Sequence, residues 1–196
     1  MNLHFSSAFL ILYLIFETTC QVVYADSEQI PSVNDTSVQQ NKKKVPPVYT
    51  TMKLCSPKPL IDGSLNDECW QTGEWGGNFT QWVPSEGGIP TYPTELKVLY
   101  DDKNIYVALR AYDNEADKIQ KFAGLRDELQ GDMMGINFDS YHDHRTGFEF
   151  NMTAYGQKVD LILTNPMSYD LTWNPVWTGK VGYEDSAWTV EMEIPF

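Results

Sequence analysis

Cationic side chains are scarce in this chain, 14 Lys and Arg against 27 Asp and Glu in 196 residues, for a net charge of −13. So acidic a protein lacks the footprint needed to neutralise a phosphate backbone, which excludes nucleic acid as a partner. Cysteine is scarcer still, three in all. No apolar run approaches the roughly 20 residues that a membrane-spanning helix needs. There is no Gly-x-Ser-x-Gly nucleophile elbow, no phosphate-cradling Gly-Lys loop and no His-Glu-x-x-His helix. Carboxylates abound, but no pair stands out as a glycosidase-like acid and nucleophile. These absences point away from catalysis and towards binding.

What is abundant is apolar and aromatic. Hydrophobic residues make up 42% and aromatics 13%, with 11 Tyr and 6 Trp, which supplies a core and rules out disorder for the body of the chain. At the N-terminus the apolar run from Ala8 to Phe16 is followed by Val23-Tyr24-Ala25, the outline of a cleavable signal peptide over residues 1–25. The first seven residues carry no Lys or Arg, and an uncleaved anchor is the alternative. The expectation is export, to the periplasm, the outer membrane or the exterior. Residues 26–48 are mostly polar and have little to bury, so a disordered linker is expected there. Residues 49–196 then form one domain. Cys55 and Cys69 either close one disulfide, which would constrain the unfolded state by about 3 kcal/mol, or stay as two separate buried thiols.

Period-2 alternation runs through the body. Leu96 and Val98 share a face opposite Glu95 and Lys97. After the turn residues Asp101 to Asn104, Ile105, Val107, Leu109 and Ala111 recur at every second position, which predicts an antiparallel hairpin. Met134, Ile136 and Phe138, then Phe148 and Phe150, continue the pattern. An Ala154-Tyr155-Gly156 turn leads to Val159, Leu161 and Leu163. Trp188, Val190, Met192 and Ile194 place one apolar face on the last strand, opposite Thr189, Glu191 and Glu193, which makes Trp188 a core residue. Helical signals are few. A short turn opens at Asn66 or Asp67, with Trp70 in the core, and one short helix is expected over 114–122 with Ile119 and Phe122 facing inward. The expected fold class is all-β, an antiparallel β-sandwich of jelly-roll or immunoglobulin-like type with one or two short helices.

Several segments in fixed order carry a resemblance. They are Pro59-Leu-Ile-Asp-Gly-Ser-Leu-Asn-Asp-Glu-Cys-Trp70, Thr94-Glu95 through Asp101, Ile105-Tyr-Val-Ala108, Arg126-Asp-Glu128, Asp132 through Gly147, Gly156 to Asp160, and Trp188 to Phe196. Together they resemble carbohydrate-binding module family 9, and more closely the N-terminal module of large bacterial proteins in which such a sandwich precedes an outer-membrane β-barrel. The resemblance implies a β-sandwich, carbohydrate binding of xylan or cellulose type, association with glycoside hydrolases or a barrel partner, and a structural Ca²⁺. In sugar-binding members one Trp precedes the strand that here begins near Asp132, a place that falls near Leu129, and another comes late in the domain. Further strands follow there, so the sandwich is expected to be incomplete at its C-terminal end.

Sugar recognition combines aromatic faces, which stack on the C–H surface of a pyranose, with polar side chains that bond its hydroxyls. The candidates are Trp173 and Trp177, in the Trp-Asn-Pro-Val-Trp segment where Pro175 disfavours sheet pairing, and Trp75 and Trp82 in a Gly-rich connection. Arg126 can fork to two hydroxyls or pair with Asp127 or Asp132. Asp132, Tyr141 and His142 complete the ligand set. His142 and His144 could face a transition metal, but their spacing is unlike a zinc site. Asp139 and Asp143 are the candidate Ca²⁺ ligands. Sequons stand at Asn34, Asn78 and Asn151.

Overall fold

The computed structural model describes residues 48–55, 57–165 and 168–196. The expected signal peptide, and all of the expected linker except Val48, lie outside them. Among the described residues nine strands form two sheets. The first has the order β1-β2-β3-β9-β8, from Met52–Lys53, Thr94–Tyr100, Asn104–Tyr112, Ala187–Pro195 and Thr178–Glu184; the second has the order β4-β5-β6-β7, from Met133–Phe138, Gly147–Thr153, Lys158–Asn165 and Ser168–Asp170. Every pairing is antiparallel except β1 on β2. The hairpin expected from residues 94–111 forms with Val98 opposite Val107 and Leu96 opposite Leu109.

The space between the sheets is filled as the alternation requires. Leu96, Val98, Val107 and Leu109 meet Trp188, Val190, Met192 and Ile194 from one sheet and Met134, Ile136, Phe138, Phe150 and Met152 from the other. The outward face of the five-stranded sheet departs from expectation. Lys97, Thr189 and Glu191 were expected on a wetted face, yet all three are buried. Residues 57–76 cross that face as a strap and build a second small core from Leu65, Cys69, Trp70, Leu99, Tyr106 and Ala108. Trp70 and Trp188 are both buried, as expected.

Two buried charges hold the strap down. The Glu191 carboxylate accepts from Trp70 Nε1 at 2.7 Å and from the backbone N–H of Gly63 and Asp62 at 2.7 and 3.0 Å. Burial pushes its pKa above the usual carboxylate value despite those donors. Lys97 Nζ donates to the carbonyls of Trp70, Thr72 and Gly73 at 2.9, 2.7 and 3.0 Å. Gly63 lets the strap run close to β8. Its φ is +93°, and a Cβ there would lie 2.6 Å from the Val181 carbonyl carbon, so no other residue fits without displacement.

Helix is sparser than expected. The turn after Asp67 is a 3-10 segment, Glu68–Gln71, and Asp67 accepts from Leu60 N at 3.0 Å instead of capping it. Over 114–122 only Ala116–Lys118 coils. Asp132 captures the next residues, its carboxylate taking the N–H of Gln120 at 3.0 Å and its own N–H donating to the Gln120 carbonyl at 3.0 Å. Ile119 is buried as expected, but Phe122 faces solvent. Cys55 is exposed and Cys69 buried, and both are free thiols. Burial raises the Cys69 pKa to about 11.

Replacing Lys97 with Met would keep the aliphatic stem and leave three carbonyls without their donor. The expected loss is about 3 kcal/mol of stability, read from urea unfolding; a loss near zero would mean that the strap does not depend on this ammonium.

Candidate functional site

The β4–β5 tip, residues 139–146, is built around two carboxylates. Asp139 is buried and accepts the N–H of Asp143 at 3.2 Å and of His144 at 2.9 Å. Asp143 accepts the N–H of Arg145 and Thr146 at 2.8 and 2.7 Å and the Thr146 hydroxyl at 2.9 Å. Those bonds, the Thr146 N–H foremost, hold the Asp143 pKa below its ordinary value. Such Asp-centred turns rigidify a tip. Here they force His142 and His144 into the left-handed region, at φ 52° and 56°.

The calcium expectation falls on these same two carboxylates. Asp139 and Asp143 spend their oxygens on backbone and hydroxyl donors, and among the described residues no group of three or more His, Cys, Asp or Glu is arranged to hold a metal. What the tip presents is Tyr141, 67% exposed, together with the exposed His142, His144 and Arg145.

Tyr141 is the outer end of a line of rings. Its centroid lies 5.9 Å from Phe148, which lies 5.1 Å from Trp173; Trp173 is 5.4 Å from Phe150, and Phe150 is 5.5 Å from Trp177. The line passes from solvent through the half-buried Phe148 and Trp173 to the core. Trp177 is only 4% exposed, which removes it from the expected ligand set and makes it the anchor of loop 171–177. Its Nε1 donates to Asp160 Oδ1 at 2.9 Å, and its carbonyl accepts from Lys158 Nζ at 2.7 Å. At the other end of the loop, Asp170 Oδ1 takes the N–H and hydroxyl of Thr172 at 2.8 and 2.7 Å. Trp173 therefore stands between two fixed points.

Arg126 serves that anchor. Its Nη2 donates to Asp160 Oδ1 at 2.5 Å and to the Pro175 carbonyl at 3.1 Å. Of its two expected roles the guanidinium takes the ion pair, with Asp127 Oδ2 at 3.7 Å from Nε and the fully buried Asp160 as its second carboxylate. Asp132 sits at the far end of β4 and is spent on Gln120, as described above; burial raises its pKa. Trp75 lies half-buried on the second core with Lys97 Nζ and Arg110 Cζ at 4.9 and 5.1 Å from its ring, so that face is taken by cations. Trp82 is 67% exposed, on the separate connection that leads into β2. The structure therefore brings together Tyr141, His142 and Trp173 out of the expected set and leaves Trp82 apart.

The alternation also concealed a polar face. In β6 the expected apolar set Val159, Leu161 and Leu163 points away from the inter-sheet core, because Asp160 pairs with Phe150 and Ile162 with Phe148. That same outer face carries Asn137 beside Glu149 and Gly135 beside Asn151, all buried. Gly135 and Gly147 make room for the Asn151 and Asn137 amides, which a Cβ on either glycine would strike. Asn151 Nδ2 donates to Glu149 Oε1 at 2.9 Å, whereas both amide atoms of Asn137 lack a partner. The readable signal was the run of polar residues at every second position between apolar ones.

Burial raises the Glu149 pKa above 4.5, its ordinary value, against the smaller opposing effect of Asn151. Between the unfolded and folded values the native state holds the extra proton. Its contribution to stability is therefore complete below the unfolded value and lost as pH rises through the folded one. Glu149→Gln is expected to exceed the parent in stability at about pH 8, with the gap closing towards about pH 4. Urea midpoints at the two pH values test this, and an unchanged gap would contradict it.

A family model described as carbohydrate family 9 binding domain-like matches residues 61–196. Among solved structures, a carbohydrate binding module family 9 from Caldicellulosiruptor kristjanssonii in complex with cellotriose is similar at 18% identity and a TM-score of 0.52, over 75% of this chain and 68% of that one. A module of that family from the same organism in complex with glucose gives 18% identity and a TM-score of 0.52, over 75% of this chain and 69% of that one. At that identity the likeness establishes the fold. No functionally curated protein matches the chain.

Proposed function

This chain belongs to the carbohydrate family 9 binding domain-like family, and from that premise we propose that it is a non-catalytic module that binds polysaccharide or oligosaccharide of xylan or cellulose type. The observation that carries this reading is the aromatic surface at the β4–β5 tip. Tyr141 offers a ring to solvent, Phe148 and Trp173 continue it inward, and polar side chains of His142, Arg145 and Asn174 lie beside it in the chain. Such a platform stacks on a pyranose face while its neighbours bond hydroxyls. The two similar modules solved with cellotriose and glucose support a glucan as the first ligand to try. Asp139 and Glu191 are occupied by protein donors and Asp160 Oδ1 takes Arg126 and Trp177, which supports binding without hydrolysis.

In this reading the protein is exported and brings an attached or partner glycoside hydrolase to its polymer, the gain coming from tethering. A second reading, docking against a protein such as an outer-membrane β-barrel, is favoured by the exposed Phe122, Leu125 and Leu129 on one loop.

Calorimetric titration of the full chain with cellotriose and xylo-oligosaccharides, with Trp fluorescence in parallel, separates the two. Tyr141→Ala is expected to weaken binding by about tenfold, the equivalent of about 1.4 kcal/mol, without lowering the melting temperature. Binding that survives Tyr141→Ala and Trp173→Ala unchanged would remove the platform. No heat with any glycan would favour the docking reading.

A further inference from the structure

Trp82 is unlike the tryptophans of the core. Trp70 and Trp177 give their indole N–H to Glu191 and Asp160, whereas Trp82 is mostly exposed and among the described residues its indole has no acceptor. Its segment is nevertheless ordered. Gln81 N donates to the Gly88 carbonyl at 2.9 Å, Gly87 N to Gln81 at 2.8 Å, and Gly88 N to Ser85 at 2.9 Å. Phe79, three residues earlier, packs against the main core. A large amphipathic ring held out on a fixed turn costs solvation without repaying it in packing, which marks a contact surface.

Charge narrows the partner. From residue 59 to residue 96 the chain has no Lys, Arg or His, while Glu74, Glu86 and Glu95 lie in the neighbouring sequence. An anionic lipid or phosphorylated ligand would be repelled. A neutral glycan would not be, and the free indole N–H with the side chains of Gln81 and Ser85 supplies hydroxyl partners. Topology separates this turn from the tip platform. The segment enters β2 from Gly76, which bridges to Leu96, at one edge of the five-stranded sheet; loop 171–177 enters β8 at the opposite edge. Three strand steps, about 14 Å, lie between β2 and β8.

We infer that the Trp82 turn is a second carbohydrate platform on the opposite edge of the sandwich, so that one molecule engages two sugar chains and selects polymeric over short glycans. This rests on the carbohydrate reading above and extends it. Two independent contacts to one polymer raise apparent affinity without any new interaction.

The test uses the full chain with cellotriose and with insoluble cellulose. Cellotriose titration is expected to give two sites per molecule, and Trp82→Ala one, with the remaining affinity unchanged. In cellulose pull-down Trp82→Ala is expected to lose at least about tenfold in apparent affinity, with an unaltered melting temperature showing that the fold is intact. One site in the parent, or no effect of Trp82→Ala on pull-down, overturns this inference and leaves the tip platform standing. Absence of binding to either glycan overturns both. Binding of the parent, but not of Trp82→Ala, to phosphatidylcholine vesicles with cellotriose stoichiometry unchanged would reassign the turn to membrane contact and also overturn it.

Discussion

Asp160 lies on the core face of its sheet, in register with Phe150, fully removed from water. A carboxylate there depends on donors from the protein. Arg126 and Trp177 converge on Oδ1, Oδ2 has no hydrogen-bond partner among the described residues, and Asp127 accepts the Asp160 N–H at 3.1 Å. Three separate pieces of chain, the loop before β4, the middle of β6 and the loop before β8, are thereby tied at one point. That tie sets the position of Trp173, four residues before the anchored Trp177. The inner rings of the line, Trp173 and Trp177, take their placement from that buried charge.

The same economy governs the other side of the molecule. Glu191 and Lys97 are charges of opposite sign on the outer face of the five-stranded sheet, each satisfied by the strap and not by the other. Because their partners are mostly backbone groups, the strap must keep one path to keep them bonded. Breaking such a contact strands a buried charge, so these residues define the conformation even if they add little net stability.

The sandwich was legible in the sequence because period-2 alternation is a direct record of one buried face. The hairpin of residues 94–111 and the apolar side of the last strand appear where the pattern placed them. Alternation says nothing about whether the other face is wet. Lys97, Glu191 and Thr189 read as solvated and are buried, because the strap that covers them is distant in sequence and irregular. Site residues suffered from the same blindness. Trp177 and Tyr141 both sit in turn-rich segments, and only tertiary placement distinguishes the ring that plugs the core from the ring that leaves it. Arg126 could serve a ligand or a carboxylate; Asp160, which claims it, was concealed among the apolar residues of β6.

These constraints also explain why much of the exposed aromatic surface lies in loops, Tyr169 of β7 and Tyr183 of β8 being exceptions on strands. One face of each sheet is spent on the shared core. The outer face of the first is under the strap, and on the outer face of the second Val159, Leu161, Asn137 and Glu149 are all buried. Most flat rings open to a sugar therefore come from a connection at an edge or end, where the backbone is free of the ladders. Connections ordinarily lack the rigidity that stacking demands, since ordering a mobile loop on binding costs free energy. Here the cost is met during folding: the tip by the Asp139 and Asp143 turns, the 171–177 loop by Asp160 and Asp170, and the Trp82 turn by its own backbone bonds. The abundance of acidic residues is in part the means by which the loops are held still.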